Sequence, residues 1–109
     1  MKKTSWLLVT LLAVTIINYP NPFSPKTGQT ATLEATSDAT VEATLTIYDL
    51  AARLVLQKTF NLATGTSRLA WNGYDNNNDL AGNGVYLYRL ISQADKQLLA
   101  RGKIWVINR

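Results

Sequence analysis

The residues that most constrain the fold are "TVEATLTIYD" at 40–49, where an apolar side chain occupies every second position. Successive side chains of a β-strand point to opposite faces of the sheet, so this alternation predicts a strand with one buried face. The segment "TATLEAT" at 30–36 repeats the pattern, and the chain after the prolines at 20–25 shows no convincing 3.6-residue period of an amphipathic helix. The residues expected to point inward are Val41, Ala43, Leu45 and Ile47 in the first segment and Ala31, Leu33 and Ala35 in the second.

Further strands are predicted at 14–19, 53–60, 67–71, 85–92 and 98–108, all joined by short connections. Many short strands with short connections are typical of an antiparallel β-sandwich. Only "SDA" separates the strands at 30–36 and 40–49, which predicts that these two form a hairpin. We expect Trp71, Val85, Leu87, Ile104 and Val106 to complete the core.

The strand at 85–92 leaves its buried face less certain than the others do. Tyr86 and Tyr88 share one face, while Val85, Leu87 and Arg89 share the other. A charged arginine does not belong among core residues. We therefore expect either that the opposite face, with Tyr86 and Tyr88, is the buried one or that a β-bulge lies nearby.

Composition limits the classes of function open to this chain. It has 109 residues, enough for one domain, and 47% of them are hydrophobic against 17% charged, which indicates a folded chain rather than disorder or a coiled coil. The net charge of +4 comes from basic residues scattered singly along the sequence. Because no basic stripe or block faces a row of phosphates, we predict no nucleic-acid partner.

The chain contains no histidine and no cysteine. This excludes zinc sites of the usual kind, disulfide frameworks, thiol catalysis and histidine-assisted nucleophiles. The seven carboxylates fall in turns, at strand ends or at outward positions, and no paired spacing supports acid–base catalysis. We therefore predict that the protein is not an enzyme, with no catalytic, cofactor-binding or metal-binding residues and no small-molecule substrate.

The N-terminal segment at 1–17 has two interpretations. Two lysines precede an apolar run at 6–17, which has the length of a signal-peptide core and is too short for a helix that spans a bilayer. The small-x-small cleavage pattern is missing, and the β-branched residues at 14–19 suit the first strand of the domain. Both interpretations stay open, and any membrane contact is expected only from 6–17.

All three prolines, Pro20, Pro22 and Pro25, lie within six positions directly after that segment. Proline fixes φ and has no N–H to donate, so this stretch cannot pair as an inner strand. We expect an extended, rigid segment along a sandwich edge, and we place the domain at 18–109, after the apolar segment at 1–17.

Four stretches carry a resemblance to a known family: "YPNPFSPKTG" at 19–28, "LTIYDLAARLV" at 45–55, "LAWNGYDNNNDLAGNGVYLYRL" at 69–90 and "GKIWVIN" at 102–108. In order and spacing they resemble the Ig-like module at the C-terminus of flagellar hook-capping proteins. They also resemble the related C-terminal sorting domains of type IX secretion cargo. The resemblance covers 18–107 and implies an Ig-like, fibronectin III-like sandwich of about seven strands. It further implies a non-catalytic, extracellular or cell-surface domain that serves sorting, anchoring or assembly.

Three positions depart from the family pattern: Ala52 and Asn78 replace glycine, and Asn72 replaces aspartate. Asparagine tolerates the left-handed conformation, whereas alanine there costs about 1 kcal/mol. We therefore expect a different type of turn at 49–52. Trp71, which precedes the Asn72-Gly73 turn, is expected to bury its ring and to donate its indole N–H to a loop carbonyl.

Two candidate sites are weighed against simpler explanations. The run Asp75 to Asp79 places oxygen-bearing side chains at alternate positions as a calcium loop does, but Leu80 and Tyr86 stand where a glycine and a glutamate are required. Turn chemistry explains "DNNND" better, and weak calcium binding is the alternative. The second hypothesis is that exposed aromatic residues form a platform that binds carbohydrate. The alternative is that these residues are ordinary cross-strand pairs on the surface of the sandwich. The platform candidates are Tyr74, Tyr86, Tyr88 and Trp105.

Two functions are therefore predicted, both with protein partners. The first is a secreted or cell-surface module that acts in sorting, anchoring or assembly through secretion or surface machinery. The second is a self-assembling subunit of an extracellular filament or flagellum-related structure, in which each copy donates its N-terminal strand to the next.

Overall fold

Seven strands make up the structure, a computed structural model in which residues 13–108 are described. A single 3-10 turn, Pro25–Thr27, is the only helical element among these residues. The strands are β1 (Val14–Tyr19), β2 (Ala31–Ser37), β3 (Val41–Tyr48), β4 (Leu54–Leu62), β5 (Gly65–Trp71), β6 (Gly84–Ser92) and β7 (Leu98–Val106). Their positions agree with the predicted strands to within two residues at every end.

The strands form two sheets with the orders β1-β2-β5 and β4-β3-β6-β7, and every neighbouring pair is antiparallel. The buried faces of the two sheets share one hydrophobic cluster, so the sheets are packed face to face as a sandwich. The predicted antiparallel, Ig-like sandwich of seven strands is thereby confirmed.

The predicted hairpin between β2 and β3 is wrong. β2 pairs with β1 and β5, whereas β3 pairs with β4 and β6, so residues 38–40 carry the chain from one sheet to the other. The buried Ser37 side chain stabilises this crossing, since its hydroxyl donates to the Ala39 carbonyl at 2.6 Å. Asp38 N–H donates to the Ala13 carbonyl at 3.2 Å. The crossing places the apolar faces of β2 and β3 on opposite sides of one core, where both are buried.

The core agrees with the alternation read from β2 and β3. Every predicted inward residue of the two strands is buried except Val41, which is partly buried, and Trp71, Ile104 and Val106 are also buried. The buried face of strand β6 is opposite to the one placed in the predicted core, as Arg89 had indicated. Leu87 is 37% exposed, whereas Tyr86 and Tyr88 face the interior.

A register shift between Leu90 and Ile91 also interrupts the β6–β7 ladder. The reversal has a physical reason: a tyrosine ring buries a large apolar area, while its hydroxyl bonds a carbonyl or reaches the rim. Val85 and Leu87 were therefore wrongly placed in the core.

The first strand belongs to the three-stranded sheet. β1 pairs with β2 over its whole length, from Val14 opposite Ser37 to Tyr19 opposite Thr32. The boundary expected between 17 and 18 thus falls inside β1. Residues 1–12 of the segment 1–17, to which the signal-peptide hypothesis applies, lie outside the described residues.

Candidate functional site

The proline segment, residues 18–25, runs along the open edge of β7. Phe23 forms a parallel bridge there: its N–H donates to the Trp105 carbonyl at 2.9 Å, and Ile107 N–H donates to its carbonyl at 3.0 Å. The Asn21 side chain accepts a hydrogen bond from Trp105 N–H at 2.8 Å. An unpaired strand edge invites pairing with other chains, and this segment covers part of it with backbone and amide groups. The predicted course along a sandwich edge is confirmed.

An aromatic cluster joins two of the four stretches that carry the family resemblance, 19–28 and 69–90. Trp71 lies between Phe23 and Tyr86, with 5.5 Å between ring centroids on each side. Its indole N–H donates to the Tyr74 carbonyl at 3.0 Å, which confirms the bond predicted for this residue. Tyr86 donates its hydroxyl to the Gly82 carbonyl at 2.8 Å, the tyrosine corner typical of Ig-like sandwiches. Burial raises the pKa of Tyr86.

The loop at 72–83 is packed tightly against the proline segment. Gly73 has φ of 86°, and a Cβ at this position would collide with the Pro25 ring. Ala81 N–H donates to the Gly73 carbonyl at 2.7 Å, and the Asn108 side chain donates to the Ala81 carbonyl at 2.9 Å. The close approach of Gly73 to Pro25 explains why a glycine follows Trp71 and Asn72.

Within this loop, "DNNND" forms a turn stabilised by its first carboxylate. Asp75 Oδ1 accepts hydrogen bonds from the N–H groups of Asn77 at 2.8 Å and Asp79 at 2.9 Å. Asn78 adopts a left-handed conformation with φ of 65°. The predicted turn is therefore present, and weak calcium binding stays an untested alternative. Nowhere in residues 13–108 do three or more acidic side chains come together as a cluster that could hold a metal ion.

The turn at 49–52 is also organised by an aspartate. The Asp49 carboxylate accepts bonds from the N–H groups of Ala51 and Arg53, both at 2.9 Å, and from the Arg53 guanidinium at 2.8 Å. The backbone N–H of Arg53 contributes most to lowering the pKa of Asp49. Ala52 has φ of 65°, so the expectation of a different turn type is wrong. The bonds to Asp49 hold alanine in a conformation that glycine normally takes.

The proposed aromatic platform is not assembled on the surface. Tyr86 and Tyr88 are 8% and 2% exposed, which leaves only Tyr74 and Trp105 with open rings. Burial also raises the pKa of the Tyr88 hydroxyl. Sequence patterning failed here because a tyrosine is compatible with either face of a strand.

On the outer face of the three-stranded sheet, charged and polar side chains are paired across the strands. Arg68 lies directly opposite Glu34, with Nε and Oε1 3.3 Å apart, and Tyr19 donates its hydroxyl to the same carboxylate at 2.8 Å. Hydrogen bonding to Tyr19 and the charge of Glu34 raise the pKa of Arg68. The row links all three strands of this sheet.

In the described part of the chain, no helix has both the length and the apolar character needed to cross a membrane.

Comparisons with known proteins show the fold. No family model matches the chain, and no curated protein does. Among solved structures, dimeric latent PorU from Porphyromonas gingivalis matches with a TM-score of 0.77 and 21% identity, over 94% of this chain and 10% of PorU. PorZ of the same bacterium, an essential surface component of its type IX secretion system, matches with a TM-score of 0.60 and 22% identity, over 85% of this chain and 11% of PorZ.

FlgD from P. aeruginosa, a flagellar hook-capping protein, matches with a TM-score of 0.62 and 15% identity, over 81% of this chain and 70% of FlgD. The chain thus spans about a tenth of PorU and PorZ. These structures are components of type IX secretion and a flagellar hook-capping protein, and the fold implied by the resemblance is the fold observed.

Proposed function

We propose that this chain is a non-catalytic, extracellular or cell-surface Ig-like module that acts in secretion sorting, anchoring or assembly. One observation carries the proposal: the proline segment, the Trp71 loop and the start of β6 meet in a single aromatic cluster. These segments belong to two of the four stretches that resemble sorting and hook-capping domains, 19–28 and 69–90. The fold built around them is shared with a segment of PorZ, a surface component of a secretion system.

The chemistry of the polar groups also favours a binding role over a catalytic one. The carboxylates of Asp49 and Asp75 accept hydrogen bonds from backbone N–H groups of their own turns, and Glu34 is engaged by Arg68 and Tyr19. Carboxylates held in this way stabilise loops and strands. The described surface therefore offers strand edges and sheet faces, which suit protein partners.

The experiment attaches the whole chain behind an exported fluorescent passenger in Porphyromonas gingivalis. We expect the passenger to reach the cell surface, measured as the fraction degraded by protease added to intact cells. The matched control carries Gly73→Val, which collides with Pro25 and disrupts the cluster, and its passenger should stay inside the outer membrane. Equal retention of both passengers would contradict sorting.

Strand exchange stays the alternative, and the pairing of β1 with β2 inside one chain bears on it. Thr15 lies directly opposite Thr36, and both side chains are exposed. The chain has no cysteine, so Thr15→Cys with Thr36→Cys introduces the only two thiols, which form a disulfide within one chain if β1 pairs with its own β2. Oxidised protein should migrate as a monomer in a non-reducing gel. A ladder of disulfide-linked chains would establish exchange instead. The control variant Thr15→Cys has one thiol per chain, so it can form a dimer and no larger species.

A further inference from the structure

The outer face of the four-stranded sheet contains a groove of about 790 Å³ between the 49–52 turn and strands β6 and β7. Its floor carries three cationic side chains, and its walls carry apolar ones that do not pack into the core. The cationic residues are Arg89, Arg101 and Lys103, and the apolar wall includes Tyr48, Leu50, Leu87 and Leu98. We call this site the basic groove.

Two of the cations face each other across neighbouring strands. Arg89 on β6 lies directly opposite Arg101 on β7, an arrangement that is destabilising for like charges. Lys103 follows two positions later on the same face of β7, opposite Leu87. The three positive charges therefore form one continuous patch whose assembly opposes folding.

Nothing among residues 13–108 neutralises this patch through an ion pair. The ion pairs of the described chain are Arg53 with Asp49 and Arg68 with Glu34. Asp49 lines the rim of the basic groove, but its carboxylate is already bonded to Arg53. On the three-stranded sheet the equivalent cross-strand position opposite Arg68 holds a glutamate. The fold thus accommodates a cross-strand ion pair, and the basic groove lacks one.

The apolar wall indicates that the partner carries apolar groups as well as negative charge. Leu50 is 70% exposed, Leu87 37% and Leu98 45%, and all three border the cationic floor. Exposed apolar side chains clustered around a charged site are typical of binding surfaces. A ligand that satisfies both features presents carboxylates and apolar side chains on one short stretch.

We propose that the basic groove binds an acidic, extended segment of a protein partner. Its carboxylates lie on Arg89, Arg101 and Lys103, and its apolar side chains lie between Leu50, Leu87 and Leu98. A sugar chain has no apolar side chains to contact the apolar wall. The inference rests on the proposed function only in that the partner is a protein.

Fluorescence anisotropy tests the proposal with the full chain and a labelled peptide of about eight residues that alternates glutamate and leucine. Arg89→Gln with Arg101→Gln should weaken binding about tenfold or more, which corresponds to about 1.4 kcal/mol. The charge-matched control, Lys26→Gln with Arg68→Gln, changes the net charge equally outside the groove and should shift affinity less than about twofold. Leu87→Gln should weaken binding severalfold while it leaves the cations in place.

A second readout separates binding from folding. Arg101→Glu creates a cross-strand pair with Arg89, so the urea midpoint should rise while peptide binding is lost. An equal loss of binding in the control variant, equal binding of a polyglutamate peptide or of phosphatidylglycerol vesicles, or no peptide binding at all would overturn the proposal.

The passenger assay distinguishes this inference from the proposed function. Peptide binding without delivery of any passenger to the surface would support the groove and count against sorting. Surface delivery by a chain that does not bind the peptide would support sorting and overturn the groove.

Discussion

The interior of the sandwich and the outer face of the four-stranded sheet treat the same residue types in opposite ways. Trp71 is 1% exposed in the interior and its indole N–H is bonded, whereas Trp105 is 49% exposed on the outer face. The aromatic rings of the interior pack against one another, while the outer face places Arg89 opposite Arg101. The interior therefore stabilises the fold, and the outer face keeps residues that folding does not require.

The largest expected effect comes from removing the central ring of the interior. Trp71→Ala should lower the free energy of unfolding by about 3–5 kcal/mol, since it leaves a cavity between Phe23 and Tyr86. Urea denaturation followed by far-ultraviolet circular dichroism measures the loss without relying on tryptophan emission.

Trp105→Ala is the matched control on the outer face. It removes the same side chain from a half-open position and should change stability by about 0.5 kcal/mol or less. Equal losses for the two variants would mean that the outer face contributes to folding as the interior does, and the distinction would fail.

The interior was largely predictable from the sequence because alternation assigns side chains to faces. In β3 every second residue is small or apolar and the others are polar, so Leu45 and Ile47 had only one consistent side. Alternation does not identify the neighbouring strand, however. Three residues between β2 and β3 fit a hairpin as well as a crossing between sheets, and only burial of both faces in one core selects the crossing.

The tyrosine corner is the next largest effect. Tyr86→Phe deletes the hydroxyl that bonds the Gly82 carbonyl and should lower the free energy of unfolding by about 0.5–1.5 kcal/mol. The control is Tyr88→Phe, because the Tyr88 hydroxyl forms no hydrogen bond within residues 13–108. Tyr88→Phe should change the free energy of unfolding by close to zero. A Tyr88 variant as unstable as the Tyr86 variant would show that the bond to Gly82 is not the cause of the loss.

The same two tyrosines predict a dependence on alkaline pH. Burial raises both pKa values above that of an exposed tyrosine, so the folded state favours the neutral hydroxyl. Their contribution to stability is fully present below the unfolded pKa of about 10 and is lost as pH rises through the folded values. Stability measured from pH 8 upward should fall less steeply in Tyr86→Phe with Tyr88→Phe. Parallel profiles would show that these hydroxyls are not the titrating groups.

The outer face was harder to predict, and β6 shows why. Both sets of alternate residues in this strand contain large apolar side chains. The two-residue period alone therefore does not decide which face of the strand is buried in the core. Arg89 was the one residue that distinguished the two, and it indicated the correct orientation. The basic groove left no signal in the sequence, since Arg89 and Arg101 become neighbours only through the register of β6 with β7.

The smallest expected effect concerns the turn that borders the basic groove. Ala52 has φ of 65°, a conformation that costs an alanine about 1–2 kcal/mol. Ala52→Gly removes this strain, but the unfolded chain gains conformational freedom that offsets about 0.4–1 kcal/mol. A net stabilisation of about 0.5 kcal/mol is expected in urea denaturation.

Ala51→Gly in the same turn isolates the second contribution, because Ala51 does not have positive φ. Ala51→Gly should lower the free energy of unfolding by about 0.4–1 kcal/mol through the added freedom of the unfolded chain, and it relieves no backbone strain. The free energies of unfolding of the two glycine variants should therefore differ by about 1–2 kcal/mol. If they were equally stable, the bonds to Asp49 would have removed the strain at Ala52.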